Sequence, residues 1–232
     1  MTPTVPDLPQ AEIAIIELTN AFRQENRRGV VVPNSELTRA ARYYAEFLAK
    51  SEIFSHTADG RQPADRITAA GYSYCLVSEN LALNLDTRGF LTRQLATDAV
   101  EGWKSSPGHR INMLAEHVTE IGVGIAKARG EEKYLSVQLF GRPDSLKYKF
   151  QVANSSNALV RYSWGGERRE IAPRMAITHT ACMPGEVEFE RTAGPGGRAA
   201  GARYRTRSGD LFVLKPERDG GVRVEHQPSK AR

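Results

Sequence analysis

The spacing of apolar residues changes along this chain, and that change limits the folds open to it. Through residues 11–115 apolar side chains recur every three or four positions, whereas from residue 118 onward they fall in short alternating runs. A 3.6-residue period builds one apolar stripe on a helix; a period of two builds one apolar face on a strand. Helices therefore come first and strands later, the order of an α+β fold with helices packed on an antiparallel sheet.

Ile13, Ile16 and Phe22, with Ile15 and Leu18 beside them, form the first helical stripe, and Gly29 after Arg27 and Arg28 suits its end. Asn34 or Ser35 can cap a second helix that buries Leu37, Ala41, Tyr44, Ala45 and Leu48. The segment SHTADGRQP is a loop by composition, and Pro63 opens a short helix ended by Gly71. Residues 72–86, which contain SENLALNL, read as a loop with some extended character. Residues 88–104 read as a helix burying Leu91, Leu95, Ala99 and Trp103. Ser105 or Ser106 then caps a short helix begun by Pro107, and VTEIGVGIAKA and KYLSVQLFGR are strand runs around the turn RGEE.

The character changes at Arg142–Pro143–Asp144. Beyond it come KYKFQVAN, ALVRYSW, EVEFE, ARYRT, DLFVLK and GVRVE, separated by Asn, Gly and Pro, as in a small all-β domain. GPGGRAAGA at 194–202 reads as a flexible hairpin loop. The expected organisation is a tail at 1–10, an α+β domain at 11–142 and a small β-rich domain at 146–228.

The net charge is +5, but its placement is uneven. Residues 146–232 hold 16 Lys/Arg against 9 Asp/Glu, and the preceding 145 hold 16 against 18. The basic excess of the β part is either a solvated surface or a site for an anionic partner, with a cell-envelope component expected rather than nucleic acid. No apolar run approaches the roughly 20 residues of a membrane-spanning helix. The start, MTPTVPDLPQ, has neither a basic n-region nor an apolar h-region. Read literally this means the cytoplasm; the alternative is a mature secreted or periplasmic chain behind an added Met1.

Two cysteines, Cys75 and Cys182, are too few and too far apart for a zinc ribbon or a thioredoxin motif. They are either two lone thiols or one long-range disulfide between the α+β and β parts. The disulfide would require an oxidising compartment. It would close a loop of about 107 residues, worth roughly 4–5 kcal/mol in the chain-entropy account.

HExxH, GxSxG, P-loop and GxGxxG motifs are all absent. His56 and His109 sit at polar loop-to-helix positions, where each taken singly reads as a hydrogen-bonded structural histidine. The ordered string FSHTADG, PADRITAAGYSY, SENLA, AVEGWKSSPGHRINML, TEIGVGIA and YLSVQLFG, with Asn20 and Arg23 of LTNAFR and Leu37 and Ala41 of ELTRAARYYA, resembles the bacterial CAP (SCP-type) domain. The resemblance implies an α-β-α sandwich with an open cleft, which in eukaryotic members is lined by two His and two Glu. Position by position, the cleft residues would be His56 of FSHT, Glu79 of SEN and His109 of SPGHR. The second Glu should lie three residues after Trp103, where this chain has Ser106; Glu101, two residues before Trp103, should lie on another helix face.

The resemblance implies occasional occupancy by zinc or another divalent cation, held by His56 and His109, with Glu79 as a ligand or an orienting group. Extracellular members suggest a lipid or small-molecule ligand as well. Three uses of the triad stay open: a hydrogen-bonded network, a metal- or ligand-binding cleft, and a metal-assisted hydrolase with Glu79 as base. A fourth possibility is an adaptor working through the basic β domain. Around the triad, Asn80 is expected to fix a loop and Gln138 to point into the cleft if Ser136 does. Arg110 and Asn112 are expected to tie the short helix to the cleft loops, and Trp103 belongs to the core.

Overall fold

The computed structural model describes residues 4–190, 201–218 and 220–229. The chain divides into two compact units, Met1–Ser145 and Leu146–Arg232.

The first unit opens with helix α1 (Leu8–Glu25), so the last three residues of the expected tail are helical. Asp7 explains this: its carboxylate accepts the Gln10 N–H at 3.1 Å and caps the helix. Upstream, the Thr4 N–H donates to the Arg88 carbonyl and the Thr4 carbonyl accepts from Phe90. The α1 stripe is shifted from the expected one. Ala11, Ala14, Ile15 and Phe22 are buried, whereas Ile13 is 48% exposed. At the other end Arg27, not Gly29, takes the left-handed φ of 56°.

Strand β1 (Val32–Pro33) leads into α2 (Ser35–Lys50), where the Asn34 side chain accepts from Glu36 and Leu37, both at 3.0 Å. Helix α3 (Pro63–Ala69) has Pro63 at its first position and a capping box between Gln62 and Asp65. The expected loop at 72–86 is a strand, β2 (Tyr74–Leu85), whose register with its neighbour shifts between Tyr74 and Leu76, leaving Cys75 at the bulge. Helix α4 (Thr92–Ser105) buries Leu95, Ala99 and Trp103, but Leu91 is its N-cap and is 64% exposed. Helix α5 (Pro107–Met113) follows, then β3 (Glu120–Lys127) and β4 (Lys133–Pro143).

The sheet order is β1-β3-β4-β2, with β1 parallel to β3 and the other pairs antiparallel. Leu135, Val137 and Leu139 of β4 pack with α2 and α3, and Tyr134 and Phe140 pack with α1 and α4. Period-two alternation on one strand thus serves two helical layers, giving an α-β-α sandwich. Gly122 and Gly124 let α2 lie directly on β3: a Cβ at either would come within 2.2 Å of the α2 backbone.

Both edges of this sheet are closed by side chains. Beyond β1, the outward Ile125 N–H of β3 donates to Glu12 of α1 at 3.0 Å, and Arg42 of α2 grips that carboxylate with Nε and Nη2. On the far edge, the Leu81 carbonyl of β2 accepts Trp103 Nε1–H at 2.9 Å, and the Glu79 carbonyl accepts from Asn112 at 3.2 Å. Unpaired edge groups invite association, so such covers stabilise a monomeric sheet.

The second unit contains β5 (Tyr148–Asn154), β6 (Val160–Trp164), β7 (Glu167–Ile171), β8 (Ala176–Ala181), β9 (Glu186–Phe189), β10 (Ala202–Arg205), β11 (Leu211–Pro216) and β12 (Val222–Gln227). Two four-stranded sheets, β10-β9-β6-β7 and β12-β11-β5-β8, share a core of Phe150, Val152, Tyr162, Val187, Phe189 and Phe212. This is a β-sandwich. Strands β7 and β8 were not expected: β7, ERREI, buries only Ile171 fully and lies at a sheet edge, where polar residues are tolerated on both faces. Most of the expected hairpin loop at 194–202 lies outside the described residues. Neither Cys75 nor Cys182 is a free thiol; both are disulfide-bonded.

Candidate functional site

The site hangs from the far edge of the first sheet. Neighbouring residues on β2 point to opposite faces, so Glu79 turns toward α3 and Asn80 toward α1. Glu79 is 6% exposed and lies in a buried ion network. Arg66 of α3 donates from Nη2 to its two oxygens, at 3.1 and 2.9 Å, and from Nη1 to Asp59 at 2.9 Å. Arg66 also donates to the carbonyls of His56 and Arg61, each at 3.0 Å, and its guanidinium lies 3.4 Å from the Tyr44 ring centroid. Tyr44 in turn holds the loop that carries His56: its hydroxyl donates to the Ser55 carbonyl and accepts from the Ala58 N–H.

His56 Nδ1 lies 2.8 Å from Glu79 Oε1. A carboxylate accepts and does not donate, so Nδ1 carries the proton and Nε2 keeps its lone pair. The ring is half-exposed, with 49% of its side chain accessible, whereas the Glu79 side chain is 2% exposed. The carboxylate is thus the concealed, fixed member of the pair and the imidazole the presented one.

His109 lies on α5, which is bound at both ends. Arg23 of α1, fully buried, donates from Nη1 to the carbonyls of Met113 (2.6 Å) and Ala115 (3.1 Å). Asn80 donates to the His109 carbonyl at 3.2 Å, and Asn112 donates to Asn80 Oδ1 at 2.9 Å. Partial burial pushes His109 below its ordinary value, and repulsion from His56 adds to this when that ring is protonated. Both effects favour a neutral imidazole at neutral pH.

Two expected cleft residues lie beneath the opening rather than in it. Asn80 is a fully buried strand residue, not a loop anchor, and donates to Gln138 Oε1 at 2.9 Å. Gln138 and Ser136 are also fully buried; Gln138 donates onward to Thr19 of α1 at 2.9 Å. The register explains it, since Gln138 lies opposite Asn80 and shares the α1-facing side of β4 with Tyr134 and Phe140. Ser106 occupies the α5 cap position, but its side chain makes no capping hydrogen bond. Trp103 is in the core, and Asn112 ties α5 to β2.

Sequence reasoning missed Arg66, Asp59 and Thr19. A buried glutamate demands a cation, which is a usable signal, but nothing in local spacing says that the partner is Arg66, 13 residues upstream. Glu79 has three contacts to its two oxygens already in place. Its carboxylate thereby links the Arg66 guanidinium to the His56 ring. His56 Nε2 and the His109 ring remain as donors. Among the described residues no group of three or more His, Cys, Asp or Glu side chains is arranged to hold a metal ion.

The family profile described as "CAP: Cysteine-rich secretory protein family" matches residues 16–140, more than half of the chain. An "Uncharacterized protein YkwD" of Bacillus subtilis (strain 168) is 30% identical over 118 residues, which are 50% of this chain and 43% of that protein. This chain thus spans less than half the length of that curated relative. Among solved structures, an outer surface protein from Borrelia burgdorferi superposes with a TM-score of 0.51 at 22% identity, covering 58% of this chain and 93% of that one. With a profile match over more than half of its length, the chain belongs to the CAP, or cysteine-rich secretory protein, family.

Proposed function

We propose that this chain is a secreted or periplasmic CAP-domain protein whose His56/His109 pair binds a divalent cation, zinc first, and with it a small ligand, without catalysing a reaction. The observation carrying this reading is the Glu79–His56 contact. A buried carboxylate fixed by Arg66 sets the histidine tautomer and leaves Nε2 open, as outer-shell carboxylates do for metal-ligating histidines. The donor set fits such an ion modestly: two imidazoles, one of them held below the usual histidine range, and no spare carboxylate. A bound cation would supply Lewis acidity at coordination positions left to water or ligand. Two protein ligands make for weak affinity that falls as the imidazoles protonate. The family's secretory character and the oxidised cysteines support an export destination. No helix among the described residues is long and apolar enough to cross a membrane.

Calorimetric titration of zinc into the wild type and into a His56→Ala/His109→Ala double variant tests the reading. Uptake near one equivalent, lost in the double variant and weakened about 10- to 100-fold in Glu79→Gln, is expected. Equal uptake by all three proteins, or none by the wild type at neutral pH, sinks it. Sequencing the full-length gene product for a signal peptide tests the export destination separately.

A further inference from the structure

A groove of about 360 Å3 lies on the first unit, lined by Arg39, Ala40 and Tyr43 of α2 and by Arg61, Ala69 and Ala70, with Arg66 in its wall. It shares the Arg66 wall with the proposed cation site, but His56, Glu79 and His109 do not line it. Its size is within the roughly 300–1,000 Å3 usual for small-ligand pockets. Its chemistry has two parts. Three alanine side chains and the half-exposed Tyr43 ring form an apolar surface, and Arg39 and Arg61 supply positive charge.

The charge is only partly neutralised locally. No acidic side chain lines the groove. Asp59, the nearest acid in sequence to Arg61, is bound to Arg66 and to the Arg61 backbone N–H. Arg66 has its guanidinium committed to Glu79, Asp59 and two carbonyls, so it adds structure rather than a free donor. Arg39 reaches across from α2 to the Ala70 carbonyl with one nitrogen, at 2.8 Å, and stands 3.9 Å from Glu36. The exposed Arg61 guanidinium has no hydrogen-bond or ion-pair partner among the described residues.

We infer that this groove binds a small planar aromatic carboxylate. The Arg61 fork would take the carboxylate through two parallel N–H donors, and the ring would lie over the alanines against Tyr43. The planar body follows from the shallow alanine floor and the exposed aromatic face; the anionic head follows from two arginines with no acid among the lining residues. The site is separate from His56 and His109 and does not rest on their binding a metal.

The test is titration of the full chain with 2-naphthoate, followed by calorimetry and by amide NMR shifts. Saturable binding is expected, with the largest shifts at Tyr43, Ala69 and Ala70. Arg61→Ala should weaken it about tenfold, and the neutral analogue 2-naphthylmethanol should bind at least about tenfold more weakly than the acid. Ala69→Phe, at an exposed position, should abolish binding by filling the floor. The His56→Ala/His109→Ala variant should bind naphthoate like the wild type, which separates this groove from the cation site. No saturation by about 5 mM, equal affinity for acid and alcohol, or indifference to both groove substitutions overturns the inference.

Discussion

The two units bury polar groups for different ends. In the first, Arg66, Glu79, Asn80, Gln138, Thr19 and Arg23 form connected networks that converge on the free edge of β2 and on α5. In the second, the buried polar residues mostly anchor turns: Asn154 takes the Ser156 N–H and donates to Ala158, and Asp210 accepts from Arg207 and Ser229. Its one deeply buried histidine, His179, lies in an aromatic cage: it contacts the Tyr162 hydroxyl at 2.8 Å and stacks on Phe150 at 4.9 Å. In the first unit polar burial presents a side chain to solvent; in the second it closes on itself. His56 is presented, with half its side chain accessible; His179 is 4% exposed.

Each unit has one tryptophan, Trp103 in the first and Trp164 in the second, so fluorescence can follow them separately. The largest expected effect comes from the disulfide. Non-reducing peptide mapping should recover Cys75 and Cys182 in one linked peptide, and replacing both with Ser should cost about 4–5 kcal/mol in the chain-entropy account. Two separately alkylated peptides from the oxidised protein would break that expectation. Next, Arg66→Ala strands Glu79 and Asp59 as buried carboxylates, and should cost about 3–5 kcal/mol, read as an earlier urea transition at Trp103 with Trp164 unchanged. A shift at both tryptophans would mean that the units unfold together and that the comparison between them fails. Gly124→Ala forces a methyl onto the α2 backbone and should cost about 1–3 kcal/mol, again at Trp103.

Acid should act on the second unit through His179. Burial holds His179 below its ordinary value of 6.5, with the Arg169 charge adding to it, so the folded unit keeps this ring neutral. Below about pH 6.5 the unfolded chain takes up a proton that the folded one does not, and stability falls with pH until the lowered folded value is passed. The Trp164 transition should therefore move to lower urea as the pH falls below about 6.5, and His179→Gln should flatten that slope. An unchanged slope in the variant would assign the acid sensitivity elsewhere. The smallest effect is at the α2 cap: Asn34→Ala should cost about 1 kcal/mol at Trp103.

Local chemistry made much of the first unit legible. Asn34, Pro63 and Pro107 mark helix starts by their own conformational preferences, and the alternation in EIGVGIAK and KYLSVQLFGR marks the central strands. Strand β2 was hidden, since Ser78, Glu79, Asn80 and Asn84 break its pattern and side chains of α4 and α5, not a second strand, cover part of its outer edge. Leu91 and Ile13 have helical spacing yet are exposed, because the axis placement that decides which flank of a wide stripe is covered is tertiary.

The sequence by itself determined the family and marked His56, Glu79 and His109 as the expected site, because these are matters of residue identity and spacing. The tertiary structure alone decided their contacts. Arg66 reaches Glu79 only after α3 has packed on the sheet, and both carboxylate oxygens then accept its hydrogen bonds. Gln138 is buried on the α1 side of the sheet because β4 pairs in a register that sets it against Asn80. Long-range pairings of buried charges and amides depend on which surfaces meet, and that is a property of the packed chain rather than of any local run of residues.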